Sequence, residues 1–431
     1  MPVNIPETGQ KRIVIIGAGF AGLKLARLLY RHNFQVVLID RNNYHQFQPL
    51  FYQVATSGLE PSSISFPLRK VFQKVKNVFI RIAEVEKIDP ETKMLETTLG
   101  TVWYDFLVIA TGATTNFFGM KSFENNSIPM KSVSEALYLR NTLLENFERA
   151  VTIRDKDEVR KLLNVVVVGG GPTGVEVCGA LAEMKKYVLP KDYPELDFSH
   201  MSITLVEANE HLLHGMSQEA GEKALTYLQN LGVIVKLEHK VLNYDGDEVE
   251  LEDKENFLTK TLIWAAGVKG QMPEGINTEF IVRGNRIKVN SHSQLENYKE
   301  IFAVGDIAYM ETKDYPHGHP QVAQVALQQA ATLSKNLLNI QNKKPLVPFV
   351  YNDKGSMATV GRNRAVVDLP RLKFGGFPAW LVWMFVHLMS IVGVKNRLVI
   401  FINWLWNYLT YDQSLRLILR SSNIHRQENK D

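Results

Sequence analysis

The residues Gly17-Ala18-Gly19-Phe20-Ala21-Gly22 have the types and spacing that hold a pyrophosphate. Gly17 permits a tight turn, Gly19 lets backbone approach a phosphate, and Gly22 lets a helix pack on a strand. A helix starting here offers free N–H groups and a partial positive charge to the anion. Asp40 follows Gly17 by 23 residues, near the ~20 expected for an acid that accepts from a ribose hydroxyl. Phe20, Ala21 and Arg41 join these positions as cofactor-binding candidates. Alone, such a glycine motif also fits an ordinary βαβ turn. The flanking residues argue further: RIVII before it, LKLARLLYRHN after it and QVVLID ending at Asp40 read as strand, turn, helix, strand, acid.

The pattern recurs. NVVVV (164–168) leads into Gly169-Gly170-Gly171-Pro172-Thr173-Gly174, a helical VEVCGALAEMKK, and SITLVEA ending at Glu207. The candidates here are Gly169, Gly171, Pro172, Thr173, Gly174 and Glu207. Glu207 lies 38 residues after Gly169, and an insertion over about 187–201 accounts for the excess. The two fingerprints are 152 residues apart, as expected for one domain type used twice. Glu207 should repel a 2′-phosphate, and no arginine follows it closely, which favours NADH over NADPH. Three buried-strand runs end in small residues that let a cofactor pass close. They are YDFLVIATGA (104–113) with Ala110, Thr111 and Gly112, KTLIWAAGV (260–268) with Ala266 and Gly267, and EIFAVGDIA (300–308). In the last, Gly305-Asp306 can place a carboxylate on a ribityl hydroxyl. Taken singly, each is simply a strand end.

A helix is predicted from about Gln321 to Leu338, with Pro320 suited to its first turn. Gln321, Gln324 and Gln328 then share one face, which on spacing alone is equally a solvated polar stripe. Glu176 falls in the first turn of the second dinucleotide helix, where the dipole favours an acid. His317 and His319 look like a metal pair, but no third ligand cluster accompanies them. A loop-and-cap role is expected, and no metal.

The elements that position these residues fit within 431 residues, two to three domains at roughly 150 residues each. Apolar residues are 45% and charged residues 22%, as in soluble globular proteins, which argues against disorder and a polytopic membrane protein. The net charge of +4 is too small to suggest nucleic-acid binding. One cysteine, Cys178, excludes a disulfide scaffold, a cysteine-ligated metal or cluster, and a redox dithiol within one chain. It falls inside a helix, where a buried core role is expected. No leader pattern precedes Lys11, so the protein is expected to stay where it is made. Phe377 to Val394 holds eighteen residues without an acidic or permanently basic side chain, and LVIFINWLWNYL (398–409) follows. Four of the six tryptophans, Trp380, Trp383, Trp404 and Trp406, lie in these blocks, and Arg416, Arg420 and Arg426 make the tail basic. Eighteen residues span ~27 Å as a helix, borderline for a ~30 Å hydrocarbon core, and His387 would be costly there. Gly393 and the Lys395-Asn396-Arg397 break fit a helical pair lying in a membrane interface. A buried core or dimer helix pair is the alternative.

In this order the motifs resemble the two-dinucleotide-binding flavoprotein oxidoreductases over about residues 11–340. The resemblance implies FAD at the first fingerprint and NAD(P)H at the second. Disulfide reductases and sulfide:quinone oxidoreductases of that frame need more than one cysteine. NYHQFQPLFYQVA (43–55), AQVALQ (323–328), FVYNDKGSMATVGRNRAVVD (349–368) and AWLVWMFVHLMSIVGVKNR (379–397) are similar to segments of the type II NADH dehydrogenases. These are single-subunit, non-proton-pumping NADH:quinone oxidoreductases.

That resemblance implies an α/β fold with two Rossmann-like dinucleotide-binding domains and a C-terminal membrane-anchoring helical region. The FAD-binding domain takes 1–115 and 276–345, the NADH-binding domain 116–275, and the anchoring and dimerisation region 346–431. FAD is non-covalent and quinone is the second substrate. Gln324 and Gln328 donate to quinone carbonyls, with Ala323 and Gln324 beside the flavin. Glu176 lies near nicotinamide and flavin, orienting NADH or passing a proton. The implied partners are a bilayer, through residues 377–420, and a second copy in a homodimer. The implied location is peripheral, on the cytoplasmic face of the bacterial inner membrane. Two other readings are an NADH-dependent flavin reductase feeding a ferredoxin or rubredoxin, and a non-catalytic NADH-sensing membrane protein.

Overall fold

The computed structural model describes residues 1–411 and 415–419. The chain forms two compact units. One comprises Met1–Gln46, Ser65–Asn116 and Gly267–Gly355; the other comprises Phe47–Ile64, Phe117–Ala266 and the chain from Ser356 onward. The stretch 43–55, one of those similar to the family, is thus divided between them.

In the first unit, five parallel strands lie in the order Ile301–Ala303, Phe106–Ile109, Lys11–Ile16, Phe34–Asp40, Val78–Ile82. Their central residues are almost wholly buried, which explains why the strands read as unbroken aliphatic runs rather than alternating ones. Chain order reverses at Lys11–Ile16, so a crevice opens at its carboxyl end, where Gly17 begins. Helix Phe20–Leu29 packs on helix Ala323–Gln341. The latter begins two residues later than expected. Val322 is extended, with φ −127°, and Gln321 donates from Nε2 to the Asp306 carbonyl at 3.0 Å, holding the approach off the helical path. Pro320 and Gln321 therefore precede the helix, and Gln321 does not share its glutamine face.

The second unit repeats the plan. Its parallel sheet runs Ile128–Pro129, Thr261–Trp264, Val165–Val168, Ile203–Val206, Ile234–Lys236, reversing at Val165–Val168. Helix Pro172–Tyr187 follows the second glycine loop. The insertion is real: it holds helix Leu189–Asp192 and a turn Phe198–His200, with Phe198 edge-on to Phe147. An antiparallel sheet of Ser356–Thr359, Ala365–Leu369 and Leu372–Gly375 leads into helices Phe377–Ser390 and Val394–Thr410.

Among the described residues no helix is long and apolar enough to cross a membrane. Arg397 donates to the Met389 and Ile391 carbonyls at 2.8 and 2.9 Å, closing the end of the preceding helix. Of the basic tail, Arg416 pairs with Asp192, while Arg420 and Arg426 lie outside the described residues.

Candidate functional site: two glycine loops and a buried carboxyl pair

The two loops are built alike. Gly17 has φ +98°, and a Cβ there would lie 2.3 Å from the Ala110 oxygen; one on Gly22 would lie 1.9 Å from the Gly17 oxygen. Gly169 has φ +108° with Ala266 Cα 2.6 Å from its would-be Cβ, and Gly174 meets the Gly169 oxygen at 1.9 Å. A Cβ on Gly19 or Gly171 would instead meet nothing within 4 Å. Each loop is closed toward the protein and open on the other side, as a phosphate requires.

Both acids hold their own loop. Asp40 accepts from the Ala18 and Asn42 amides, each at 2.7 Å. Glu207 accepts from Gly170 N at 2.5 Å and Asn209 N at 2.8 Å. A carboxylate has about four acceptor sites, so ribose can still be accepted. Burial raises the Asp40 pKa against the pull of those amides. Arg41 is exposed, as are Pro172 and Thr173.

Around the first loop the fold gathers Ala21, Ala110, Gly305 and the helix Ala323–Gln341. A Cβ on Gly305, which has φ +78°, would lie 3.3 Å from Ala21 and 3.5 Å from Ala326. The Thr111 hydroxyl is buried without a partner, an orphan that a bound cofactor would satisfy. Gln329, which no sequence motif marks, is 1% exposed and accepts from Gly305 N at 2.7 Å. Its neighbours in a glutamine-rich stripe gave no signal of this. Gln324 is half-buried on the first turn. Gln328 is clipped to Asn352, donating to its carbonyl and accepting from its amide, both at 2.9 Å. His319 is buried among Tyr315, Phe349 and Tyr351, and burial lowers its pKa.

In the second unit Glu176 is 7% exposed and lies one turn further along the helix than expected. It is thus no dipole-favoured surface acid. Burial raises its pKa to about 8, opposed by the Thr359 amide, which donates at 3.4 Å, and by the Trp383 indole. Seven residues on, Glu183 accepts from the Arg362 amide. Burial raises the Glu183 pKa as well, and Arg362 and Arg364 pull it down.

Beside them lies a cavity of about 110 Å³, whose lining includes Tyr52, Glu183, Thr359, Arg362, Trp383 and Trp404. Trp383 is 1% exposed, with its indole beside the Glu176 carboxyl. Trp404 donates from Nε1 to Gln53 Oε1 at 2.7 Å. Two of the four clustered tryptophans thus pack inside the protein, while Trp406 is exposed. His387 stacks on Trp383 at 4.0 Å and donates from Nδ1 to the Trp383 carbonyl at 2.8 Å. Burial drops its pKa to about 4, so it is neutral at pH 7, which removes most of the cost of a histidine in this apolar run. Tyr52, Gln53 and Glu183 were not foreseen, since only the fold brings them to Trp383 and Trp404.

A family model described as pyridine nucleotide-disulphide oxidoreductase matches residues 11–330, and one described as NDH2 C-terminal domain matches 354–411. A Mycobacterium tuberculosis relative named type II NADH:quinone oxidoreductase Ndh is 35% identical over 415 residues, covering 93% of this chain and 88% of the relative. The chain belongs to the type II NADH:quinone oxidoreductase family. A Staphylococcus aureus member is 29% identical, covering 83% of this chain and 89% of its own. In fold, the chain is similar to NDH2 from Plasmodium falciparum solved with NADH, at TM-score 0.87 and 22% identity, covering 95% of this chain and all of that one. Sulfide:quinone oxidoreductase of Aquifex aeolicus also aligns, at TM-score 0.71 and 21% identity, covering 90% and 92%. Both solved structures share the fold of this chain, in which Cys178 is fully buried and burial pushes its thiol pKa up.

Proposed function

We infer that this chain is a single-subunit NADH:quinone oxidoreductase, taking a hydride from NADH and passing two electrons to a quinone without pumping protons. The observation that carries this reading is the pair of matched glycine loops, each with an inward-braced acid and an open middle glycine, in a chain whose single cysteine is buried. Two dinucleotides fit, and no dithiol intervenes between them and the acceptor. FAD fits the first loop, where Gly17, Gly19, Gly22, Asp40, Thr111, Gly305 and Asp306 would hold it. Bound there, FAD supplies the two-electron chemistry. NADH fits the second loop, with Glu207 disfavouring a 2′-phosphate.

Gln324 is the better placed of the two glutamines to donate to a quinone carbonyl, because the Gln328 amide is occupied by Asn352. Glu176, protonated at neutral pH, is a proton donor for the quinone oxygen. The helices Phe377–Ser390 and Val394–Thr410 expose Leu381, Phe385, Met389, Leu398, Phe401 and Trp406, a patch suited to a bilayer surface. That patch supports a monotopic enzyme, and the resemblance to the family is what suggests the cytoplasmic face of a bacterial inner membrane. A homodimer through the same C-terminal region competes for part of this surface. A flavin reductase with a protein acceptor would need no such patch.

Stopped-flow spectroscopy tests the reading. NADH should bleach the bound flavin faster than NADPH does, and a short-chain quinone should restore its absorbance. A flavin that NADH leaves oxidised would sink the proposal.

A further inference from the structure

One face of the helix Pro172–Tyr187 carries Glu176, Gly179 and Glu183, spaced i, i+3, i+7. All three meet the turn 359–362. Glu176 accepts from Thr359 N, Gly179 leaves no room for a Cβ against Gly361 N at 2.6 Å, and Glu183 accepts from Arg362 N. The two carboxyls differ in access. Glu176 is buried, whereas Glu183 is half-buried and lines the cavity with Tyr52 and Thr359. A cavity of about 110 Å³ that carries Glu183, Tyr52 and Thr359 on its wall has room for more than one ordered water. Tyr52 accepts from Gln53 Nε2 at 2.8 Å, which leaves its own O–H proton to donate. It feels both carboxylates: burial first, then Glu176, then Glu183, raise its pKa well above the usual value.

The function proposed above consumes one solvent proton per turnover: NADH, quinone and H⁺ become NAD⁺ and quinol. A sealed Glu176 that gives its proton to quinone must be refilled before the next turnover. We propose that Glu183 and Tyr52 form the intake of a proton path, running through this cavity, that refills Glu176 from water; the proposal rests on that reading of the function. In the refilling step the Tyr52 O–H proton moves to the Glu176 carboxylate, directly or through a cavity water. Tyr52 takes the Glu183 proton in the same concerted shift, so that no tyrosinate forms beside the two carboxyls, and Glu183 is refilled from bulk water. One proton enters for each that leaves, and nothing is oxidised. Glu183 acts through Glu176, so it is a positioning residue for proton delivery.

The charged and titratable groups facing Glu183 favour this direction. Arg362 and Arg364 approach from the turn after Thr359, Tyr52 from helix Phe51–Ala55, and Tyr408 across the cavity from helix Val394–Thr410. His387 on the remaining wall helix is neutral. Arg362 is held in place: its guanidinium donates to the Asn407 and Tyr408 carbonyls and lies 3.7 Å over the Tyr411 ring. Arg362 and Arg364 pull the Glu183 pKa down against its burial, and no arginine acts on Glu176, which favours proton movement inward.

The test uses the full chain with FAD bound. A jump from about pH 6 to about pH 9 empties Glu176, and Trp383 fluorescence reports this because the indole lies against that carboxyl. A Trp383→Phe protein identifies the signal. Glu183→Gln keeps an acceptor for Arg362 N and should slow the relaxation by about tenfold, as should Tyr52→Phe, while Glu183→Asp restores most of the rate. In the same Gln variant, flavin reoxidation by a soluble quinone should slow and its solvent isotope effect should grow, with flavin reduction by NADH unchanged. Relaxation within about twofold of wild type in both Glu183→Gln and Tyr52→Phe overturns the proposal. If the Gln protein does not fold, Tyr52→Phe decides alone. Failure of wild type to reduce quinone would overturn the functional reading, and the fluorescence relaxation would still judge the path.

Discussion

Replacing Glu176 by Gln should stabilise the protein increasingly as pH rises. The Glu176 carboxyl ionises near 4.5 in an unfolded chain and at about 8 in the native one, because burial penalises its charge. Between those values the native state binds the extra proton. Its protonation therefore contributes stability that is fully present below 4.5 and lost as pH climbs to about 8. The loss is about 1.4 kcal/mol per pH unit, so about 3 kcal/mol from pH 5 to pH 7. Gln has no proton to lose and keeps an oxygen for the Thr359 amide. The difference in stability between Glu176→Gln and wild type should grow by that amount. For a unit of roughly 240 residues, unfolding entropy near 0.5 kcal/mol/K turns this into about 6 °C in Tm. Water entering from the adjoining cavity reduces it, so a growth of about 3 to 6 °C is the expectation. Both proteins, loaded with FAD, should be melted side by side at four values between pH 5 and pH 8, since common drifts cancel in the difference. A gap that stays constant across that range would mean Glu176 is ionised in the native state, and the electrostatic account of the site would be wrong.

Gln329→Leu should leave the buried Gly305 amide without its acceptor, costing about 1–3 kcal/mol, with a lower Tm and weaker retention of FAD on gel filtration. Gly179→Val should force apart the helix and the turn at Gly361, costing about 1–3 kcal/mol in urea unfolding; a neutral outcome would mean the 2.6 Å approach is not maintained in solution. The triple change Phe385→Ser, Leu398→Ser and Trp406→Ser removes only exposed apolar surface, so Tm should stay put while co-sedimentation with lipid vesicles drops several-fold. Unchanged sedimentation would remove these helices as the membrane-facing surface.

Much of the fold could be read from local pattern. Residues 11–40 and 164–207 announce strand, tight turn, helix and acid because glycine geometry and aliphatic burial are local demands. The family assignment was reachable from motifs for the same reason. What resisted was everything set by distant contacts. Glu176 reads as a surface acid until the turn at Thr359 and helix Phe377–Ser390 close over it. Gln328 and Gln329 are adjacent and chemically identical, yet one clips Asn352 and the other supports Gly305, because successive helix positions face about 100° apart. Trp383 and Trp404 belong to an apolar block whose composition suits a lipid interface, and only packing on Tyr52 and Gln53 shows that two of its rings are interior.

The acid at the end of each second strand also limits redesign. Coenzyme preference in such a fold looks like a single dial at position 207, where an arginine would welcome a phosphorylated ribose. Yet that side chain is also the fastening of Gly170 and Asn209. Exchanging it trades selectivity against the rigidity of the cradle itself, so a phosphate-accepting variant needs a second substitution that supplies a new acceptor to those amides.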